Sequence, residues 1–148
     1  MSKRSEVVKI FESAAREAGK LINKEFGKVT ESKVQSKDLG DFVTNTDLET
    51  ENILLNILKK HFPNSSYLTE ESDPFKGNEE TIVIDPIDGT SNFIHGIPSI
   101  GIVIAKIHKE EITDGIIFNP VSDELFFATK DKGDWGNNEK LVVSQTKE

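Results

Sequence analysis

The chain has 148 residues, with 26 acidic against 18 basic side chains and a formal charge of -8. So acidic a surface repels phosphate backbones, which argues against a nucleic-acid binder held by a basic patch; a protein of this charge that handles phosphate needs metal ions to mask the like charge. There is no cysteine, which removes disulfides, thiolate zinc sites and cysteine nucleophiles together.

The amino terminus, "MSKRSEVVKIFESAAREAG", lacks the uninterrupted apolar core of a signal peptide, and no run reaches the length of a membrane span. A cytoplasmic protein without membrane partners is the expectation. Val8, Phe11, Ala15, Ala18, Ile22 and Phe26 follow the three-and-four spacing of an amphipathic helix over residues 5–26, and Gly27 stands where a C-terminal cap belongs. Residues 28–40 read as a loop or a short strand pair. In "DFVTNTD", Phe42, Val43 and Thr44 suit an extended segment. Thr46 with Glu49 then fits a capping box opening a second helix through Ile53, Leu54, Ile57 and Leu58 to about His61, where Pro63 ends it.

After residue 95 the period changes to two. Residues 99–108, 111–119 and 123–129 read as strands of an antiparallel meander, and "DWGNNEKLVVS" as a hairpin turning at Asn137-Asn138. In "SIGIVIAKIH", Ile100, Ile102 and Ile104 alternate with Val103, Ala105 and Ile107, so this strand is apolar on both faces, as one buried on both sides is. The fold class is α+β: two N-terminal helices packed on a largely antiparallel sheet, in one domain over residues 1–148.

The chemistry concentrates in residues 67–95. In "VIDPIDGTSNF", Val83 and Ile84 close a buried strand, and Asp85 and Asp88 follow it three positions apart. Carboxylates held close together out of water repel unless a cation lies between them. Glu70 and Glu71 follow "YLT" in the same way, and Asp47 opens the second helix. If the segments before these acids are adjacent strands, the carboxylates gather at one sheet edge. Hard oxygen donors without His or Cys suit magnesium, manganese or calcium. Gly89-Thr90-Ser91 leads into a short helix, "TSNFIH", whose first N–H groups suit an anion. Metal-binding acids beside a phosphate cradle point to phosphoryl transfer to water. Taken singly, each feature has a plainer reading: Asp47 as a first-turn acid, "EESD" as a solvated loop, Asp88-Gly89 and Asp114-Gly115 as turn pairs, and His95 as structural. Together the plain readings leave Asp-Pro-Ile-Asp-Gly-Thr at a strand mouth unexplained. "DPIDG" lacks the rhythm of an EF-hand, "GIPSIG" lacks the lysine of a P-loop, and no Gly-x-Ser-x-Gly elbow is present.

"VIDPIDGTSNFIH" resembles the signature of the inositol monophosphatase family, metal-dependent and lithium-sensitive phosphomonoesterases related to fructose-1,6-bisphosphatase. "DFVTNTD", "LTEES", "HGIP" and "NPVSDELFFATKDKGDWGNNEKLVVS" follow the family's order, so the resemblance spans essentially the whole chain. It implies the first half of a layered sugar-phosphatase fold. It also implies that Glu70, Asp85 and the Ile87 carbonyl hold a first magnesium ion, and that Asp85 bridges to a second ion bound also by Asp88. Asp47 and Thr90 would orient and deprotonate the attacking water, and the N–H groups of Gly89 and Thr90 would hold phosphate oxygens. Family members are nearly twice as long, and their later Trp-Asp motif completes the second metal site. Here Trp135 is followed by Gly136, and on this resemblance the C-terminal half is expected to be missing. The expected partners are a small-molecule phosphate ester and either a second copy of the chain, in a homo-oligomer, or a complementing C-terminal half. The substrate implied is an inositol monophosphate or similar sugar phosphate. The alternatives are a catalytically silent remnant that binds a cation weakly and associates with another chain, or a 3'-phosphoadenosine or fructose bisphosphate phosphatase.

Overall fold

The computed structural model describes residues 4–28, 36–69, 79–137, 139–142 and 144. Helix α1 (Glu6–Glu25) starts at Ser5, whose Oγ accepts the Val8 N–H (3.1 Å), and it buries the expected stripe from Val8 through Phe11, Ala15 and Ala18 to Ile22. It stops where expected: the Phe26 N–H still bonds the Ile22 carbonyl, and Gly27 turns the chain at φ +73°. Gly19 lets the helix lie close on the sheet, since a Cβ there would stand 2.9 Å from Pro120 Cβ.

Helix α2 (Ser36–His61) ends at the expected residue but begins ten positions early. Phe42, Val43 and Thr44 are helical, not extended. Thr46 lies inside the helix, its carbonyl accepting the Thr50 hydroxyl (2.7 Å), so the Thr46–Glu49 capping box is not formed. The physical reason is in the spacing: Leu39, Phe42, Val43 and Thr46 also recur at helical intervals, which a short extended run does not outweigh.

The strands are β1 (Ser66–Thr69), β2 (Glu80–Asp88), β3 (Gly101–His108), β4 (Glu111–Asn119), β5 (Glu124–Thr129), β6 (Asp134–Gly136) and β7 (Glu139–Leu141), with the short helix α3 (Thr90–Ile94) between β2 and β3. They form one sheet in sequence order, parallel between β1 and β2 and antiparallel throughout the rest. The β6–β7 hairpin turns at Asn137 as expected, and Asn137 is tied to β5 by two bonds: its N–H donates to the Leu125 carbonyl, and its Oδ1 accepts the Leu125 N–H.

Register assigns the two faces. Ile84, Ile104, Ile116 and Phe127 are paired across neighbouring strands and all buried, on the face against which α1 and α2 pack. Phe11 meets Phe62 edge-on in that core, with ring centroids 5.9 Å apart. Asp114 is also on this face, which corrects its reading as part of a turn. It is buried within β4 because its Oδ1 accepts the hydroxyls of Ser5 (2.7 Å) and Thr129 (3.1 Å), tying the start of α1 to two strands. The turn between β3 and β4 is made instead by Lys109 and Glu110, both at positive φ.

Tyr67, the only tyrosine, is buried and donates its hydroxyl to the Phe62 carbonyl (2.8 Å). Burial pushes its hydroxyl up to about 12, because the charged phenolate loses water. The folded state therefore holds this proton more tightly than the unfolded chain. That contribution to stability is complete below about pH 10, the ordinary tyrosine value, and is lost as pH rises toward about 12. A 295 nm titration should show one late tyrosinate transition in the native protein and an ordinary one near pH 10 in denaturant.

Candidate active site

Among the described residues, the parallel pairing of β1 with β2 runs to Thr69 opposite Ile84. These are the residues that immediately precede Glu70 and Asp85 in the chain. The sequence condition for gathering carboxylates, that the segments before them are adjacent strands, holds for the described part of β1 and β2. Glu70 itself lies outside the described residues.

Strand β2 does not stop at Ile84 as the sequence suggests. It continues to Asp88 across an irregularity: Asp85 pairs with Val103 and Asp88 with Gly101, while Pro86 and Ile87 intervene without a ladder position. Proline has no N–H to offer a neighbouring strand, which accounts for the break. The break leaves Asp85 half-buried with Oδ1 out of contact with solvent, Ile87 buried, and Asp88 exposed. Thr90 Oγ1 lies 3.5 Å from the Ile87 carbonyl, a long hydrogen bond that folds the threonine back over the loop.

Gly89 is the pivot. It caps α3 at φ +92°, ψ +42°, and its carbonyl accepts the Phe93 N–H (3.0 Å). A Cβ at this position would stand 2.8 Å from the Ser99 carbonyl oxygen. That oxygen accepts from Asn92 Nδ2 (2.7 Å), and the adjoining Pro98 carbonyl accepts from Asn119 Nδ2 (2.8 Å). The segment after α3 is thus held at Ser99 by Asn92 of α3 and at Pro98 by Asn119 at the end of β4, neither of them a candidate residue by sequence. Asn92 sits inside the signature stretch and Asn119 in an Asn-Pro pair, whose turn propensity was its only local signal. His95 Nδ1 stays with the Ser91 carbonyl of its own helix (2.7 Å), in keeping with a structural role.

Asp47 is on α2, within the helix and not at its start, half-buried with Oδ1 out of contact with solvent. One turn further, Glu51 is buried at 2% exposure, a charged residue on the apolar stripe that was not singled out. Helix α2 packs on β2, the strand that carries Asp85 and Asp88. Among the described residues, no group of three or more acidic or histidine side chains is assembled closely enough to hold a metal ion, so Asp47, Asp85 and Asp88 do not form such a cluster by themselves. Asp85, Ile87, Asp88, Gly89 and Thr90 are brought together by one short loop. The donors available there are carboxylate and carbonyl oxygens, a hard set that fits magnesium, manganese or calcium and disfavours softer metals.

Residues 3–148 match the inositol monophosphatase family. Among curated proteins, the chain is 39% identical over 132 residues to an inositol-1-monophosphatase of Caulobacter vibrioides, covering 87% of this chain and 52% of that protein. It is 34% identical to the Nus factor SuhB of Pasteurella multocida, covering 91% of this chain and 51% of that protein. Among solved structures, the extragenic suppressor protein suhB of Bartonella henselae superposes with a TM-score of 0.84 at 33% identity, covering 96% of this chain and 56% of that one. The chain belongs to the inositol monophosphatase family, and its helices packed on a seven-stranded mixed sheet are the α+β fold of those neighbours. It spans about half the length of the curated relatives it matches. No helix among the described residues is long and apolar enough to cross a membrane.

Proposed function

We propose that this chain is the metal- and phosphate-binding half of a magnesium-dependent phosphomonoesterase acting on an inositol monophosphate or a similar sugar phosphate. The observation that carries this reading is the parallel register of β1 and β2, Thr69 opposite Ile84, directly ahead of Glu70 and Asp85 in the chain. In this reading Glu70, Asp85 and the Ile87 carbonyl hold one ion, and Asp85 and Asp88 face a second. Bound magnesium supplies charge neutralisation for the phosphoryl group and acidity for a bound water.

The remaining roles belong to the chain's own groups. Asp47 and Thr90 orient the water and accept its proton, Asp47 being the stronger acceptor and Thr90 the relay held over Ile87. The Gly89 and Thr90 N–H groups donate to phosphate oxygens; the left-handed turn at Gly89 opens this approach, because no side chain stands in it. The family resemblance puts one ligand of the second ion, and most groups that choose the polyol, in the part of the relatives that this chain does not match. The 148-residue chain alone is therefore expected to bind metal and phosphate but to turn over inositol 1-phosphate weakly.

Calorimetric titration with inorganic phosphate tests this directly. Phosphate heats should appear only after manganese or magnesium has been added, and phosphate should in turn tighten the metal by the same factor. Phosphate binding of equal strength without metal, or no binding with it, overturns the assignment. Robust lithium-inhibited turnover by the isolated chain overturns the expected weakness.

A further inference from the structure

The buried positions of α2 change character along the helix. Leu54 and Leu58 belong to the apolar core, but toward the helix start the buried residues are Glu51, Thr50 and Thr46. At 3.6 residues per turn, Asp47, Glu51, Leu54 and Leu58 fall within about 60° of one another around the axis, so Glu51 shares the face of Asp47. The contacts of α2 fix its direction along the sheet. Phe62, just past its last residue, has its ring centroid 5.7 Å from Lys106 Nζ, and Lys106 is paired with Ile82 of β2. Helix α2 also touches α3, which follows Asp88 at the opposite end of β2, and only its earlier turns can make that contact. The helix therefore runs along β2 with its earlier turns toward the aspartate loop. Glu51, eleven positions before Phe62, stands about 16 Å back along the axis. Asp85 and Asp88 lie about 10 and 20 Å beyond Ile82 along the strand. Glu51 is thus at the level of the aspartate loop, inside the protein and one turn behind Asp47.

We propose that Glu51 sets the divalent-cation affinity of the aspartate loop through its charge, from outside the set of ligands. This deepens the reading of the loop as a metal and phosphate site and rests on it. Among the described residues no three acids come close enough to share an ion, so Glu51 is not a further ligand there. Its part is the field it adds. A surface carboxylate adds little at this range, because salt screens it beyond about 8 Å at physiological ionic strength. A carboxylate in the interior is screened far less, and its attraction for a doubly charged ion carries over roughly 10 Å of protein. The effect discriminates between ions, since the energy scales with their charge: a divalent cation gains twice what a monovalent one does. Glu49 provides the contrast. It carries the same charge at nearly the same level of α2, but on the opposite, exposed face.

Calorimetric titration with manganese tests this on the whole chain and on Glu51→Gln, Glu51→Met, Glu51→Asp and Glu49→Gln, each first checked for native circular dichroism. The two neutral variants at position 51 should raise the manganese dissociation constant about tenfold, and by the same factor at about 0.1 and 0.5 M salt. Methionine matches glutamate in length without its polar atoms, so a neutral side chain remains available if glutamine is not accepted in the interior. Glu51→Asp keeps the charge and gives up a methylene, and should stay within about threefold of wild type. Glu49→Gln should bind as wild type does. Neutral variants that bind as tightly as wild type overturn the proposal and leave the metal site standing. So does a Glu51→Asp weakened as much as Glu51→Gln, which assigns the loss to packing, and so does an equal loss in Glu49→Gln, which assigns it to net charge. A wild-type chain that binds no manganese overturns the proposal together with the site reading beneath it.

Discussion

Replacing Asp85 by asparagine is expected to abolish the stabilisation that divalent metal gives this chain while leaving the metal-free fold intact. Asparagine has the same shape, so the packing of β2 against β3 at Val103 is preserved. What disappears is a negative charge with one oxygen already out of contact with solvent. Without metal, the isosteric amide should leave the native circular dichroism unchanged, and the effect of the substitution is read from the metal-induced shift. With metal the difference is large. An ion present at a hundredfold its dissociation constant stabilises the native state by about 2.7 kcal/mol. In a chain of this size that corresponds to a melting shift of roughly 5–10 °C. Wild-type protein should show such a shift in manganese; Asp85→Asn should show almost none. Asp123→Asn, at an exposed acid paired with Arg16 on the far side of α1, should keep it in full. Equal shifts in wild type and Asp85→Asn would remove Asp85 from the ligand set. In an assembly that turns over, the same substitution should lower kcat by about a thousandfold, or about 4 kcal/mol.

How far the sequence could be read depended on how far apart the partners lie in the chain. Strands β3, β4 and β5 match the alternating runs to within two residues, because the period-two pattern of Ile102, Ile104, Ile116 and Phe118 reports directly which face is buried. The double-sided apolarity of "IGIVIAKI" suggests burial on both sides, whereas only the face of Ile102 and Ile104 is buried and Val103 and Ala105 stay partly exposed. The aspartate loop was legible because its chemistry is contiguous from Asp85 to Thr90. Asp114 was misread for the opposite reason. Its neighbour Gly115 gives it the look of a turn, whereas its burial is decided by Ser5, 109 positions away. Glu51 is buried at 2% exposure without a local signal, since a single glutamate in a helix otherwise reads as solvated. The start of α2 was ambiguous in principle: residues 39–46 satisfy both an extended and a helical reading, and local pattern cannot choose between them.

Gly89→Ala is the second substitution with a large expected effect, and here the cost comes from backbone and steric terms, not charge. At φ +92° an alanine pays the left-handed penalty, about 1–2 kcal/mol. Its Cβ must also find room against the Ser99 carbonyl oxygen, 2.8 Å away. That oxygen is a main-chain atom held by Asn92, with the preceding carbonyl held by Asn119, so retreat breaks hydrogen bonds worth about 1 kcal/mol each. The total should be about 2–4 kcal/mol, a melting loss of roughly 5–15 °C. Gly27 separates the two contributions: it shares a positive φ (+73°), but nothing stands within 4 Å of its Cβ position, so Gly27→Ala should cost only the conformational part. Adding Asn92→Ala frees the Ser99 carbonyl to move, and the double variant Gly89→Ala/Asn92→Ala should therefore lose less stability than the two single losses added together. If Gly89→Ala is no worse than Gly27→Ala, or if the double variant is strictly additive, the Ser99 carbonyl does not press on Gly89. The aspartate loop would then owe its shape to β2 and α3 alone.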